Sequence, residues 1–144
     1  MKIAVASLVL AACGGDLLNH AALHAHVDEV VATAQPLDHV TTSLELMVPV
    51  LGSARLDRAA FGSIRPSGVV FDWVLGGVAP LALVGASFAI SDARTRQAMR
   101  WAALGLYLAT RIGVLVIGNL HVSEYDEYLA GRQGTAGVSW HRRW

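Results

Sequence analysis

Three ionisable side chains near the start of the chain fall at intervals of four residues: Asp16, His20 and His24. In an α-helix a step of four residues turns the side chain by only about 40°, so all three lie on one face. Imidazole and carboxylate groups on one face can move protons on a substrate, or together hold a transition-metal ion. We predict this stripe to be the reacting face of the chain.

The stripe fits more than one chemistry. In a metal site, His20 and His24 bind one ion and Asp16 or Glu45 completes the ligand set, as suits iron, zinc or copper. In an acid/base site, a histidine and a carboxylate move protons on a lipophilic substrate. A third interpretation needs no chemistry, because the same groups could bond neighbouring helices or cover a solvated helix end. The cofactor is therefore left open between none and a transition metal.

Polar groups elsewhere in the chain are predicted partners of the stripe. The predicted set comprises three further catalytic residues and three substrate-binding residues: Glu45, Asp72 and Arg111, and Asn19, Tyr107 and Asn119. An arginine inside an apolar stretch is costly in lipid, so Arg111 should face the bundle interior beside a carboxylate. Asp16, Glu45 and Asp72 are the candidates for that carboxylate.

The composition favours a membrane protein. Hydrophobic residues make up 54% of the chain and charged residues 15%, against roughly 45–50% and about 25% in soluble domains. The formal net charge is zero, with 11 basic and 11 acidic residues, so no overall field favours nucleic acid. The single cysteine, Cys13, excludes an intrachain disulfide and a cysteine-based zinc site.

Two apolar stretches are long enough to cross a bilayer. Residues 69–90 contain one charge, Asp72, and residues 101–120 contain one charge, Arg111. Roughly 20 apolar residues cross the hydrocarbon core. A polar turn over residues 91–96 separates the stretches, so they are predicted to form an antiparallel hairpin.

The first half of the chain is predicted to add two more segments. A long helix over residues 2–31 carries the stripe, and it is expected to be retained rather than cleaved as a lipoprotein at Cys13. A weaker segment follows over residues 37–51, then a loop over 52–68, and residues 131–139 form a flexible lead into the tail. The predicted fold is all-α: one domain, residues 1–144, an integral membrane bundle of about four transmembrane helices.

The distribution of basic residues predicts the orientation. One side of the four-span arrangement holds seven of them: Lys2, Arg55, Arg58, Arg65, Arg132, Arg142 and Arg143. Arg94, Arg96 and Arg100 fall on the other side. The positive-inside rule then places both termini in the cytoplasm, with the protein in the cell membrane.

The last third of the chain resembles a known family. Residues 111–122, RIGVLVIGNLHV, followed by residues 125–129, YDEYL, resemble the end of a helix in the anthrone oxygenase-like family of small membrane proteins. Residues 140–143, WHRR, are similar to that family's following tryptophan and arginine segment. The likeness covers residues 94–144, and Leu120 stands where the family has proline. It implies oxidation of a lipophilic aromatic such as an anthrone to a quinone by O₂, without an organic cofactor. Of the motif positions, Asn119 carries over.

Together these observations predict a small membrane enzyme acting on a lipophilic, polycyclic or aromatic metabolite, in the manner of an oxygenase. One alternative is an acid/base cyclase or isomerase of a natural-product pathway. Another is a non-enzymatic subunit that conducts protons or ions or binds a partner helix. The expected partners are a lipophilic small molecule and membrane lipid, without nucleic acid, and a homo-oligomer is left open.

Overall fold

A computed structural model describes the backbone of residues 20–141 and the side chains of residues 20–134. Within this range the elements are helical and no strand occurs, as predicted. The helices are α1 (His20–Val30), α2 (His39–Leu46), α3 (Leu51–Phe61), α4 (Pro66–Trp73), a π-helical turn (Val74–Val78), α5 (Ala79–Ser87) and α6 (Ala93–His141).

Two stretches of the described chain are long and apolar enough to cross a membrane, judged by length and composition. They are Pro66–Ser87, which runs through α4, the π-helical turn and α5, and Ala93–Gly134 within α6. The first matches the predicted span over residues 69–90, and the second contains the predicted span over 101–120. The polar turn between them is shorter than predicted, because α6 already begins at Ala93.

The weaker segment predicted over residues 37–51 contains a helix only over His39–Leu46. The helix α2 has 8 residues, about 12 Å of length, which is too short for a hydrocarbon core of about 30 Å. It ends before Pro49, which cannot donate a backbone hydrogen bond. Val50 follows with φ +69°, and the Leu51 amide donates to the Pro49 carbonyl at 2.8 Å. This is the rare, strained γ-turn with positive φ, and it reverses the chain into α3.

The predicted loop over residues 52–68 is also wrong, because Leu51–Phe61 forms the helix α3. Leu56, Ala60 and Phe61 recur at helical spacing and are buried, so packing stabilises a segment whose charges made it look like a loop. The helix ends at Gly62, where φ is +73° and the amide donates to the Arg58 carbonyl at 3.1 Å. A left-handed residue after the last turn is a common helix ending and favours glycine.

Residues 131–139 were predicted to be flexible and instead belong to α6. Two hydrogen bonds hold the beginning of this region to the chain after α1. The Gln133 side-chain amide donates to the carbonyls of Val31 at 3.3 Å and Ala34 at 3.2 Å. These tertiary contacts outweigh the weak helix propensity of Gly131 and Gly134.

The long helix α6 is the axis on which the other helices pack. Contacts pair His20 with Glu124 and Asp28 with Arg132, so α1 runs parallel to α6. Its second half adjoins α1, α2 and α3, whereas its first half packs against α5. The core lies around the second half and comprises Leu23, Val27, Leu46, Leu56, Ala60, Phe61, Val122, Tyr125 and Leu129.

Glycines allow close approach at two helix crossings. A Cβ on Gly118 of α6 would overlap the Leu46 side chain and lie 3.3 Å from Leu56 Cδ2. A Cβ on Gly52 of α3 would overlap backbone atoms of Glu45 and Leu46. Because backbone cannot rotate out of the way as a side chain can, the start of α3 depends on glycine at position 52.

We predict that Gly52→Ala destabilises the protein by about 1–3 kcal/mol, the usual range for overpacking. Gly113→Ala is the matched control, since no atom within 4 Å meets a Cβ there and alanine is the better helix former by about 1 kcal/mol. Thermal unfolding in detergent, followed by circular dichroism, should show a lower midpoint for Gly52→Ala only. Equal unfolding midpoints for the two variants would contradict the close approach of the α3 backbone at Gly52 to the α2 backbone.

The buried carboxyl of Asp57 in α3 gives a pH-dependent prediction. Burial raises its pKa above the usual 3.8, although hydrogen bonds and charge attraction from Arg65 oppose the shift. A raised pKa in the folded state means that the stabilising contribution is complete below pH 3.8 and is lost as the pH rises through the raised value. The unfolding free energy of Asp57→Asn relative to the unmodified protein should therefore increase with pH.

Asp92 supplies a control of opposite sign. The side chain and amide of Thr95 donate hydrogen bonds that hold the pKa of the Asp92 carboxyl below 3.8. The contribution of Asp92 is thus present at higher pH and lost on acidification. Asp92→Asn should lose stability relative to the unmodified protein as the pH rises, measured by denaturant unfolding across a pH series. The same pH trend in both variants would contradict the opposite pKa shifts of Asp57 and Asp92.

Candidate functional site

His20 and His24 of α1 meet Glu124 of α6 in one cluster. The Nδ1 atom of His20 is in direct contact with Glu124 Oε1, and the Nε2 atom of His24 lies 3.7 Å from the same oxygen. One ligand atom from each of the three residues lies within 4.8 Å of the others. The side chains of His20, His24 and Glu124 are 54%, 38% and 17% exposed, so the cluster opens to its surroundings.

Apolar packing of α1 fixes which face carries the histidines. Leu23 and Val27 are fully buried in the core, and they therefore hold the neighbouring His20 and His24 at the edge where α1 meets α6. The ring of His24 stacks on Tyr128, with centroids 3.7 Å apart and planes 10° apart. This stacking restricts the imidazole to one orientation beside Glu124.

A second polar tie lies one turn further along the same two helices. Asp28 accepts hydrogen bonds from Arg132 Nε at 2.6 Å and from the Tyr128 hydroxyl at 3.2 Å. The pairs His20–Glu124, His24–Tyr128 and Asp28–Arg132 each advance by four residues on both helices. The cluster is thus the first member of a regular series that sets the register of α1 on α6.

Two imidazoles and one carboxylate are a ligand set for a transition metal. Non-haem iron oxygenases use two histidines and a carboxylate, and some zinc enzymes use the same three groups, with the remaining positions open to water or substrate. The partial exposure of His20 and His24 leaves room for such positions. A histidine in contact with a carboxylate can equally act as a general base.

The cluster differs from the predicted one in its carboxylate. The sequence pattern offered Asp16 or Glu45 beside the histidines, whereas the structure places Glu124 there. Glu45 instead pairs with Arg55 of α3. Asp16 and Asn19, together with Cys13, lie outside the described residues. The signal for Glu124 was the spacing of Glu124, Tyr128 and Arg132, which matches that of His20, His24 and Asp28.

Arg111 and Asp72 form a separate, fully buried ion pair. Each is 1% exposed, and Arg111 Nη2 contacts Asp72 Oδ1 directly. The expectation that Arg111 requires a carboxylate partner is confirmed, with Asp72 in that role. The other carboxylate oxygen accepts from the Val50 amide at 2.8 Å and from the Ser53 hydroxyl at 2.5 Å. Arg111 Nη1 donates to the Leu46 carbonyl at 2.9 Å.

Glycine at position 76 makes room for this ion pair. A Cβ there would overlap the Arg111 guanidinium and lie 2.9 Å from Asp72 Oδ1. Gly76 belongs to the π-helical turn Val74–Val78, a local widening of the helix. The turn, the glycine and the strained Val50 all surround one ion pair, so the local irregularities of the fold are concentrated there.

The ion pair and the histidine cluster occupy different levels of α6. Glu124 follows Arg111 by 13 positions, which corresponds to about 20 Å along a straight helix. The structure therefore does not bring Asp72 and Arg111 together with the histidines. Their polar atoms face helices α2, α3 and α4, where they hold the α2–α3 turn in place.

The remaining predicted residues link helices. Tyr107 donates to the Met47 carbonyl at 3.5 Å, close to the α2–α3 turn. Asn119 donates to the Ser43 hydroxyl at 3.0 Å, and its carbonyl oxygen lies 3.1 Å from His39 Nδ1. Asn119 precedes Glu124 by about 8 Å along the axis of α6, so among these residues it lies nearer to the histidine cluster than Tyr107 does.

Comparison of the chain with models of protein families, with characterised proteins and with solved structures finds no match. The likeness to the anthrone oxygenase-like family therefore stays a prediction from the sequence.

The buried ion pair predicts a large effect of removing one partner. Arg111→Met leaves the Asp72 carboxylate buried without its cation, a change that costs about 3–5 kcal/mol. Arg58→Met is the control, because Arg58 is exposed on α3 and exposed substitutions usually change stability by about 0.5 kcal/mol or less. Chemical unfolding in detergent measures both. A loss below about 1 kcal/mol for Arg111→Met would contradict the enclosed pair.

Proposed function

We propose that this chain is a membrane-embedded helical enzyme that oxidises a lipophilic aromatic substrate with O₂, at a metal centre held by His20, His24 and Glu124. The observation that carries the proposal is the convergence of two imidazole nitrogens and one carboxylate oxygen within 4.8 Å. The proposal keeps His20 and His24 from the sequence prediction and replaces the predicted carboxylate, Asp16 or Glu45, by Glu124 of α6.

Membrane embedding is supported by the exposure of the two apolar stretches. A core helix of a soluble protein is mostly buried, whereas only 17% and 22% of the apolar windows in Pro66–Ser87 and Ala93–Gly134 are buried. Large apolar side chains lie exposed along them, among them Leu81, Trp101, Ile112 and Val116. In water such a surface would be an aggregation hazard, whereas in lipid it is the expected exterior.

The proposed bundle is built from about four packed helical units: α1, the α2–α3 pair, the α4–α5 stretch and α6. The predicted orientation, with both termini in the cytoplasm, is supported by the ends of the bundle at which the arginines lie, with Arg55, Arg58, Arg65 and Arg132 at one end. Phe61 at the end of α3 packs against His121, so the arginines of α3 lie towards the same end of α6 as Arg132. Arg94, Arg96 and Arg100 lie at the opposite end.

The position of the cluster suits a substrate that dissolves in lipid. The predicted span ends near Leu120, and Glu124 follows one helical turn later, about 6 Å further along the axis. The cluster then lies at the level of the headgroups. A lipophilic aromatic molecule partitions into the bilayer and can reach this level laterally, while O₂ is also available from the membrane.

The chemistry requires no additional reductant. A methylene flanked by two aromatic rings, as in an anthrone, becomes a carbonyl when its two C–H bonds break and a C=O bond forms. The carbon gives up four electrons and O₂ accepts four, so that one oxygen atom enters the product and the other leaves as water with both hydrogens. A bound metal supplies O₂ activation, and His20, His24 and Glu124 hold it while leaving coordination positions open.

A second candidate is supported by the direct contact between His20 Nδ1 and Glu124 Oε1. A histidine paired with a carboxylate can take a proton from an activated carbon without any metal. That chemistry would serve a membrane cyclase or isomerase of a natural-product pathway. The two candidates share the same residues and differ in metal content and in O₂ consumption.

The test uses the full-length protein purified in detergent, with anthrone as the probe substrate. We expect one iron or other transition-metal ion per chain by elemental analysis, O₂ uptake at an electrode and quinone formation by absorbance. His20→Ala, His24→Ala and Glu124→Gln should each lower metal content and O₂ uptake at least about ten-fold, because loss of a group that merely supports a metal ligand already costs about 10–100-fold. His26→Gln is the matched control. His26 is a histidine of the same helix, but its ring lies beside Gly62 at the end of α3 and is not part of the cluster.

The outcomes separate the candidates. Substrate conversion in metal-free protein without O₂ uptake, abolished by the same three substitutions, would support the acid/base enzyme and overturn the oxygenase. Unchanged conversion and unchanged metal content in all three variants would overturn both. Proton flux in proteoliposomes without any product would instead support the non-enzymatic subunit.

A further inference from the structure

The arginines near the start of α6 differ from most of the others in the described chain. Four arginines elsewhere each pair with a carboxylate: Arg55, Arg65, Arg111 and Arg132. Among the described residues no carboxylate forms an ion pair with Arg94, Arg96 or Arg100. Three positive charges within seven residues are thus left without a neutralising side chain, at the end of the bundle opposite the histidine cluster.

A groove of about 570 Å³ lies along this part of α6. Its lining combines cationic and polar groups with apolar ones: Ala93, Arg96, Gln97, Arg100, Trp101 and Leu104. Arg96, Arg100 and Leu104 follow one another at intervals of four residues, so the charged end of the groove leads directly into an apolar end. This order of charges and apolar groups along one face suits an amphipathic ligand.

The guanidinium groups of Arg96 and Arg100 are held in position by the end of α5 and by the turn that follows it. Arg100 Nε donates to the Ser87 hydroxyl at 3.2 Å, and its guanidinium lies 5.0 Å from the centre of the Phe88 ring. Arg96 Nη2 donates to the Ser91 carbonyl at 3.0 Å, while Arg96 Nε is enclosed without a protein partner in the described chain. These contacts hold both guanidinium groups near the turn between α5 and α6.

The surroundings of the groove are those of a lipid interface. Phe88 is 73% exposed and Trp101 is 64% exposed, and both lie where the apolar stretches of α5 and α6 meet the polar turn. Exposed aromatic rings are typical of the headgroup level. The beginning of α6 is itself capped by the Asp92 carboxylate, which accepts from the Thr95 amide at 2.7 Å, so attraction of an anion to the groove depends on the arginines.

We propose that this groove binds an anionic phospholipid, with its phosphate at Arg96 and Arg100 and its acyl chains along Trp101 and Leu104. The charge of the groove selects an anion, and its apolar continuation selects a lipid over a free phosphate ion. Arg94, one turn before the pair's centre, adds to the attraction. The inference rests on the membrane embedding proposed above, and it is independent of the chemistry at His20, His24 and Glu124.

The test uses Trp101 as the reporter. A variant with Trp73→Phe, Trp140→Phe and Trp144→Phe retains one tryptophan and is reconstituted in vesicles of phosphatidylcholine with a minority of phosphatidylglycerol. Bromine atoms on the acyl chains of one lipid at a time quench tryptophan fluorescence on contact. We expect brominated phosphatidylglycerol to quench Trp101 more than its mole fraction predicts, with an enrichment of about five-fold for each arginine engaged.

The variants decide the assignment. Arg96→Gln with Arg100→Gln should reduce quenching to that expected from the mole fraction, whereas Arg58→Gln, at an exposed position of α3, should leave the enrichment unchanged. Enrichment that persists in the double variant, or that inorganic phosphate abolishes, would overturn the phospholipid site.

Two further outcomes distinguish this inference from the membrane proposal. Strong quenching by brominated phosphatidylcholine, without enrichment of phosphatidylglycerol, would overturn the site and leave membrane embedding intact. Absence of quenching by either brominated lipid would overturn both. A metal-loaded and catalytically active protein in the same samples would show that the histidine cluster is unaffected by either result.

Discussion

The ion pair between Arg111 and Asp72 is the constraint on which the rest of the structure depends. Two charges enclosed in the protein must satisfy each other and their remaining hydrogen-bonding capacity, because desolvation costs several kcal/mol for each ion. Here the Leu46 carbonyl, the Val50 amide and the Ser53 hydroxyl supply further hydrogen bonds, and Arg111 Nε is enclosed without a hydrogen-bond partner in the described chain. One polar contact thus fixes the relative positions of α2, α3, α4 and α6. Such a pair contributes more to defining a unique arrangement than to net stability.

The long helix α6 contributes Arg111 to the ion pair and Glu124 to the histidine cluster. The ion pair is enclosed, with each residue 1% exposed, whereas His20 and His24 are partly exposed at the edge of α1. Of the two groups of polar side chains, only the histidine cluster is therefore accessible from outside the protein. Arg111 and Glu124 lie on one continuous helix, so that helix fixes the distance between the ion pair and the cluster. Asn119 lies between them and donates a hydrogen bond to Ser43 of α2.

The sequence predicted what local periodicity encodes and missed what depends on distant contacts. The apolar hairpin, the shared face of His20 and His24, and the need of Arg111 for a carboxylate all follow from composition and helical spacing. Glu124 is 104 residues from His20, and the matching four-residue spacings around them pair the two helices only once these helices are known to lie side by side. The charges of α3 concealed a helix that exists because Leu56 and Phe61 are buried by other elements. Pro49 indicated a break, but its tight turn at Val50 depends on an acceptor from α4.

The length of α6 has a mechanical consequence. With 49 residues, the helix extends about 74 Å, more than twice a hydrocarbon core of about 30 Å. In the membrane orientation proposed above, about half of the helix lies outside the hydrocarbon core, and contacts such as Asp28–Arg132 and Gln133–Val31 hold the preceding helices against that half. A tilt of α6 within the bilayer would therefore move α1 sideways together with the outer half of α6.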